Sequence, residues 1–228
     1  MNKLRTTVIL PENNDMQYFL MGLMLIMSWC ATAQNSKVVI LNDTAAVMNN
    51  LDSAISLSNQ GYKLYYLLKN GKDSLLPESF ERIPKDKLIG FNCDNCRLKS
   101  LPKYFNQYKN LKTGDLSWFL FDDYPYEQPP IVDQVFRLKS LEHLGIHGLP
   151  VSSNRRIKSK QLTYLELADC ELTFFPKKIY RLKNLTTLRL GCNEIKTVPD
   201  GLRRLSKLEA LYMDGGACGG NPITYLTP

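Results

Sequence analysis

A unit of about 23 residues recurs along most of this 228-residue chain and constrains its fold more than any other feature. Leu162-Thr-Tyr-Leu165-Glu-Leu167-Ala-Asp-Cys170-Glu-Leu172 returns as Leu185-Thr-Thr-Leu188-Arg-Leu190-Gly-Cys-Asn193-Glu-Ile195. Leu88-Ile-Gly-Phe91-Asn-Cys93-Asp-Asn-Cys96-Arg-Leu98 obeys the same pattern, and further starts fall at Leu111, Leu141 and Leu208, so successive starts are 23, 30, 21, 23 and 23 residues apart. The second half of the unit is equally regular: Leu101-Pro102-x-x-Phe105-x-x-Tyr108, Phe175-Pro176-x-x-Ile179-x-x-Leu182 and Val198-Pro199-x-x-Leu202-x-x-Leu205, with a divergent copy at Leu76-Pro77-x-x-Phe80-x-x-Ile83.

Apolar residues at the fourth and sixth places alternate with polar ones, which describes a short strand with one buried face. One unit cannot bury that face alone. Stacking units in parallel, with strands about 4.8 Å apart, joins the faces into a continuous core. The proline at the fifteenth place supplies no ladder donor and tolerates a helical first turn, so it opens the return segment. These motifs resemble the leucine-rich repeat family, in the subclass whose convex segment reads L-P-x-x-I-x-x-L and of the exported bacterial type, over roughly residues 62 to 226. The resemblance implies an α/β solenoid: a curved parallel sheet on the concave side and short helical or 3-10 turns on the convex side. Apolar residues at helical spacing over 46–60, ending at Gly61, predict a helix capping the first unit, so 34–61 is expected to be a cap region and 62–228 the repeat domain.

Residues 1–33 are read as a secretory signal. Lys3 and Arg5 precede the apolar run Phe19–Met27, and Ala31-Thr32-Ala33 forms a cleavage site, with translation starting at Met1 or Met16. The run is too short for the ~20 residues that a spanning helix needs. A secreted or periplasmic protein cut after Ala33 is therefore expected; lipid anchoring at Cys30 is disfavoured by the bulky Trp29 before it.

Six cysteines raise disulfide, redox and metal chemistry. The register places Cys93, Cys96 and Cys170 inward, which predicts buried structural thiols; a Cys192–Cys218 disulfide between neighbouring units is left open. No second ligand pair is spaced for zinc. His143 and His147, the two histidines, stand four strand residues and about 13 Å apart, too far to share a metal ion. His147 could neighbour Asp169 on the next strand, as a weak ion site or a pH-sensitive contact. No catalytic constellation, metal site or cofactor is expected.

The candidate recognition residues point outward from the concave strands: Asp94, Asp115, Trp118, His143, His147, Tyr164, Glu166, Asp169, Arg189 and Tyr212, within a row that also holds Tyr65, Lys69, Asn92, Thr113, Ser117 and Asp214. Carboxylates and large aromatics dominate, and aromatics outside a core are interface anchors. The unit from Leu111 is seven residues too long; the excess maps to 121–130, acidic and aromatic, whose Tyr124 and Tyr126 are expected to join the site as a loop. The net charge of +7 falls mostly on the return segments, among them Lys103, Lys177, Arg181 and Arg203, as a solvated convex face or a weak electrostatic contact with membrane. The function expected is a non-enzymatic exported binding protein that recognises a protein, or a glycan, and not nucleic acid. An intracellular scaffold similar to the Ras-pathway leucine-rich-repeat proteins is the first alternative, and a weak ion-dependent enzyme the second. The step from fold to binding role is analogy. Oligomeric state is unassigned.

Overall fold

The structure is a computed structural model, and it describes residues 39–42, 45–48, 50–69, 75–94, 97–117, 128–214 and 220–226. One strand per repeat builds a sheet in chain order: β3 (Lys63–Lys69), β4 (Leu88–Asp94), β5 (Thr113–Ser117), β6 (His143–His147), β7 (Tyr164–Ala168), β8 (Thr187–Arg189) and β10 (Ala210–Tyr212). All of these pair in parallel. At the N-terminal edge β1 (Val39–Asn42) and β2 (Ala45–Met48) form an antiparallel pair, and β2 joins β3 in parallel. The expected register holds. Leu144, Leu165 and Leu188 at the fourth place, and Ile146, Leu167 and Leu190 at the sixth, are all buried in one core that runs from Ala54 to Leu205. Full burial of such side chains is worth about 1.5–3 kcal/mol each, so the stack, not any single unit, holds the fold.

Pro77, Pro102, Pro176 and Pro199 stand immediately before 3-10 turns at Glu78–Arg82, Lys103–Gln107, Lys177–Arg181 and Asp200–Arg204. The prolines cap these turns in non-helical conformations and do not enter them, because their fixed φ suits the extended return as well. In the long unit the return is a true helix, α2 (Pro130–Arg137), with Pro at its first position and Ile131, Val132, Val135 and Phe136 in the core. The Gln134 amide ties α2 to the preceding unit, accepting from the Leu101 N–H and donating to the Leu101 carbonyl. The expected 121–130 loop is described only at Gln128–Pro130; Tyr124 and Tyr126 lie outside the described residues.

The capping helix differs from expectation. Residues 45–48 are the strand β2, and helix α1 spans only Leu51–Asn59. Asn50 sets that start, its side chain accepting the Ser53 N–H at 2.9 Å, which satisfies one of the donors a helix N-terminus leaves open. The proposed signal segment 1–33 lies outside the described residues, and no helix among those described is long and apolar enough to cross a membrane.

Two asparagines replace what the backbone between units cannot supply. Asn193, at the ninth place, accepts the N–H groups of Cys170 and Leu172 and donates to the carbonyls of Leu167, Leu190 and Gly191. Asn221 repeats this role one unit later, accepting the Ile195 N–H and donating to Leu190 and Met213. The last unit therefore resumes its pattern after a glycine-rich insertion, with Asn221-Pro-Ile223 answering Asn193-Glu-Ile195 and β11 (Tyr225–Leu226) pairing in parallel with β9 (Thr197–Val198).

The thiol expectation holds for Cys170, which is free and buried, and fails for Cys93, which is disulfide-bonded, as is Cys192. The sixth place does bury Cys93, but burial determines where a sulfur sits and not what it bonds. Cys96 and Cys218 lie outside the described residues.

Candidate functional site

Pairing across β4 to β10 arranges the outward side chains in three transverse rows. The first runs Gly90, Thr113, His143, Tyr164, Thr187, Ala210; the second Asn92, Asp115, Gly145, Glu166, Arg189, Tyr212; the third Asp94 to His147 and Ala168 through Ser117. Small residues at three of these places decide where the large ones lean. Tyr65 lies against Gly90 so closely that a Cβ there would collide with its ring. Asp115 lies over Gly145, where a Cβ would stand 2.5 Å from its Oδ1. Ala168 sits beside His147 in register, and the histidine reaches diagonally to the carboxylate of Glu166.

Glu166 is the hub. Its side chain is 9% exposed; it accepts the Tyr164 hydroxyl at 2.6 Å, lies 3.4 Å from His147 Nε2 and 3.4 Å from Arg189 Nε. Arg189 in turn lies over the Tyr212 ring at 5.1 Å. On the other flank Tyr164 stacks on His143, their rings 4.1 Å apart and 13° from parallel, and His143 Nε2 stands 3.9 Å from Asp115. Burial alone would raise the Glu166 carboxyl above its ordinary 4.5. The hydrogen bond and charge of His147, with Tyr164 and Arg189, outweigh it and hold the group at about 2. For His147 burial opposes the proton, yet the bond to Glu166 prevails and raises it above 6.5. Burial, reinforced by Glu166, pushes the Tyr164 hydroxyl up, so it remains a donor.

Stability should follow these two shifts in opposite directions. The depressed Glu166 contributes above about pH 4.5 and loses that contribution as pH falls toward 2; the raised His147 contributes fully below 6.5 and loses its share as pH climbs above it. Thermal melts of the wild type are therefore expected to peak between these values, with the acid limb flattened in Glu166→Gln. An equally steep acid limb in the variant would assign it to other groups.

Several expectations change. The acid beside His147 is Glu166 and not Asp169, which is exposed in the turn after β7 with φ of 53°. The proposed ion site at His147 and Asp169 thus has a different geometry, and among the described residues no cluster of three or more His, Cys, Asp or Glu could hold a metal ion. His143 and Glu166 are 3% and 7% exposed: they brace the face and do not present themselves to a partner. Asp94 accepts the Ser117 hydroxyl at 3.0 Å. Arg189 and Tyr212 are the residues that stand out, 46% and 44% exposed. Trp118 lies outside the described residues. The residues missed are the small ones, Gly145 and Ala168, whose signal was a tiny side chain at an outward place where the pattern favours a polar one.

Residues 160–216 match the family model described as leucine rich repeat. Receptor-like protein 7 of Arabidopsis thaliana is 35% identical over 86 residues, covering 36% of this chain and 9% of its own length. Receptor-like protein 6 of the same plant is 37% identical over 79 residues, 32% of this chain and 8% of its own. The chain thus spans less than a tenth of these relatives. A leucine-rich-repeat protein of Leptospira interrogans superposes with a TM-score of 0.51 and 24% identity over 62% of this chain and 34% of its own. Together with the one-strand-per-unit parallel sheet and the proline-led 3-10 turns, these likenesses make the fold of the chain a leucine-rich-repeat solenoid.

Proposed function

We propose that the chain is an exported, non-enzymatic binding module that recognises a protein partner through the C-terminal half of its concave face. The observation that carries this is the Arg189–Tyr212 pair: two exposed side chains of the types that dominate binding hot spots, stacked on each other and held from beneath by a buried carboxylate. Fixing Arg189 in place lowers the rotamer entropy that binding must remove. Taken by count alone, the carboxylates of this face would suit a neutral or basic partner. Glu166, however, spends its charge on Arg189 and His147, so the surface around β8 and β10 offers a guanidinium and a phenol, suited to a partner with a carboxylate or carbonyl there. Asp94 and Asp115 make the opposite half the acidic one. Export is supported by the disulfide-bonded Cys93 and Cys192, a state that persists in oxidising compartments, and by the signal-like pattern over 1–33. The receptor-like names of the plant relatives accord with recognition as the role.

Affinity capture with the mature chain identifies the partner, and Tyr212→Ala then tests the site. The expected result is a loss of more than about 1 kcal/mol in binding with an unchanged melting temperature, since Tyr212 is an exposed side chain at the end of the sheet. Undiminished affinity would place recognition elsewhere. Tyr164→Ala is a poor probe, because Tyr164 supports His143 and Glu166 and its loss disturbs the whole face.

A further inference from the structure

In four consecutive repeats a lysine stands two places before the leucine that opens the unit: Lys109, Lys139, Lys160 and Lys183, before Leu111, Leu141, Leu162 and Leu185. All four are exposed and lie in the stretch that carries the chain from the return segment into the next strand. Neighbouring turns along this edge touch: the Asn110 amide donates to the Asp86 carbonyl, the Asn184 amide to the Lys160 carbonyl, and Lys207 to Asn184 Oδ1. Parallel stacking then sets successive lysines at roughly the strand pitch, about 4.8 Å. None of the four ammonium groups forms an ion pair among the described residues; Lys109 and Lys183 donate to the carbonyls of Asn106 and Arg204. The carboxylates Asp86 and Glu142 of the same edge are engaged by Lys87 and Lys112. Like charges lined along one edge repel one another, and among the described residues no carboxylate forms an ion pair with any of the four.

Between the first two rungs opens a cavity of about 420 Å³. Lys109, Arg137 and Lys139 line it with the neutral polar groups of Asn106, Ser140 and Gln161, and no acidic residue among those described contributes. We infer that this edge is a binding site for a linear sulfated polysaccharide, with one sulfate seated in the cavity and the following ones along the lysine ladder. A line of charges one residue wide fits a chain better than a plane. Among the described residues the large exposed apolar ones, Leu75, Phe174, Leu211, Tyr212 and Ile223, belong to other parts of the unit, so the described edge lacks the anchors that insert into a lipid surface. The same absence of exposed aromatics along the edge leaves no platform on which nucleic-acid bases could stack. This site is separate from the concave face, and its lysines take no part in the Glu166 cluster.

The test is calorimetric titration of the full chain with a heparin octasaccharide at low salt, comparing wild type, Lys109→Gln with Lys139→Gln, and Lys177→Gln with Lys178→Gln as a charge-matched change on the convex 3-10 turn. The ladder variant is expected to bind about tenfold more weakly with a salt slope shallower by about 1–2, while the convex variant stays within about twofold. Circular dichroism of all three verifies the fold, and Arg137→Gln gives a second variant with the same expected direction should the double one be misfolded. Equal losses in ladder and convex variants would reduce the attraction to net charge and overturn the site. So would binding to phosphatidylglycerol vesicles or oligothymidylate in the absence of octasaccharide binding, or no binding of the octasaccharide by the wild type.

Discussion

Leu188→Ala is expected to destabilise the protein by about 2–5 kcal/mol, toward the upper part of that range. Leu188 is fully buried at the fourth place, between Leu165 and Leu211 in the adjoining units, and truncation leaves a void between two layers that the rigid parallel ladder prevents from closing. Leu211→Ala removes the same atoms from the same place of the next unit, yet its side chain is already 37% exposed at the end of the stack. Its cost should be about 1 kcal/mol or less, because there is little burial to lose. Equilibrium urea unfolding of the two variants side by side measures the difference. Equal losses would mean that stacking between units contributes little, contrary to a solenoid held by its neighbours.

Asn193→Ala is expected to cost about 3–5 kcal/mol, although it deletes only one small amide. That amide serves five backbone groups, accepting from Cys170 and Leu172 at 3.0 and 3.1 Å and donating to Leu167, Leu190 and Gly191 at 2.8, 3.0 and 3.0 Å. Alanine leaves the two N–H groups without a partner inside a turn that water does not reach, and each orphan carries a desolvation penalty. Asn193→Asp keeps the acceptor but loses the donors and buries a charge, so it should rescue little. Hydrogen exchange at the Cys170 and Leu172 amides reads the effect locally, and retained protection at both in the alanine variant would contradict it.

The layered part of the fold was legible because it depends on period alone. Leucines 23 residues apart place Leu165 and Leu188 in register whatever the intervening sequence, and proline marks the returns at Pro77, Pro102, Pro176 and Pro199. The capping helix was overextended because apolar spacing cannot tell a strand paired with β3 from a helical turn; only Asn50, as a cap, marks the boundary. Asn221 was hidden by the glycine-rich insertion that moves it five places from its usual station, counted from Leu208. On the concave face Asp115, His143, His147, Tyr164, Glu166, Arg189 and Tyr212 stand in the strand rows, Asp169 lies in the turn after β7, and the pairing among these side chains was not legible. His147 finds Glu166 and not Asp169 because Ala168 leaves room for a diagonal reach, a fact of side-chain volume across two strands and not of spacing along one. The charge of the face changed meaning for the same reason, since a carboxylate shared among Tyr164, His147 and Arg189 is no longer available to a partner.

The central claim is that recognition takes place on the concave face at Arg189 and Tyr212. A photo-crosslinking amino acid placed at position 212, and separately at position 178 on the convex 3-10 turn, tests it by position and without dependence on the size of any energy. The account predicts that the captured partner is crosslinked from position 212 and not from position 178. Crosslinking from position 178 alone would contradict it and move the interface to the opposite face of the solenoid.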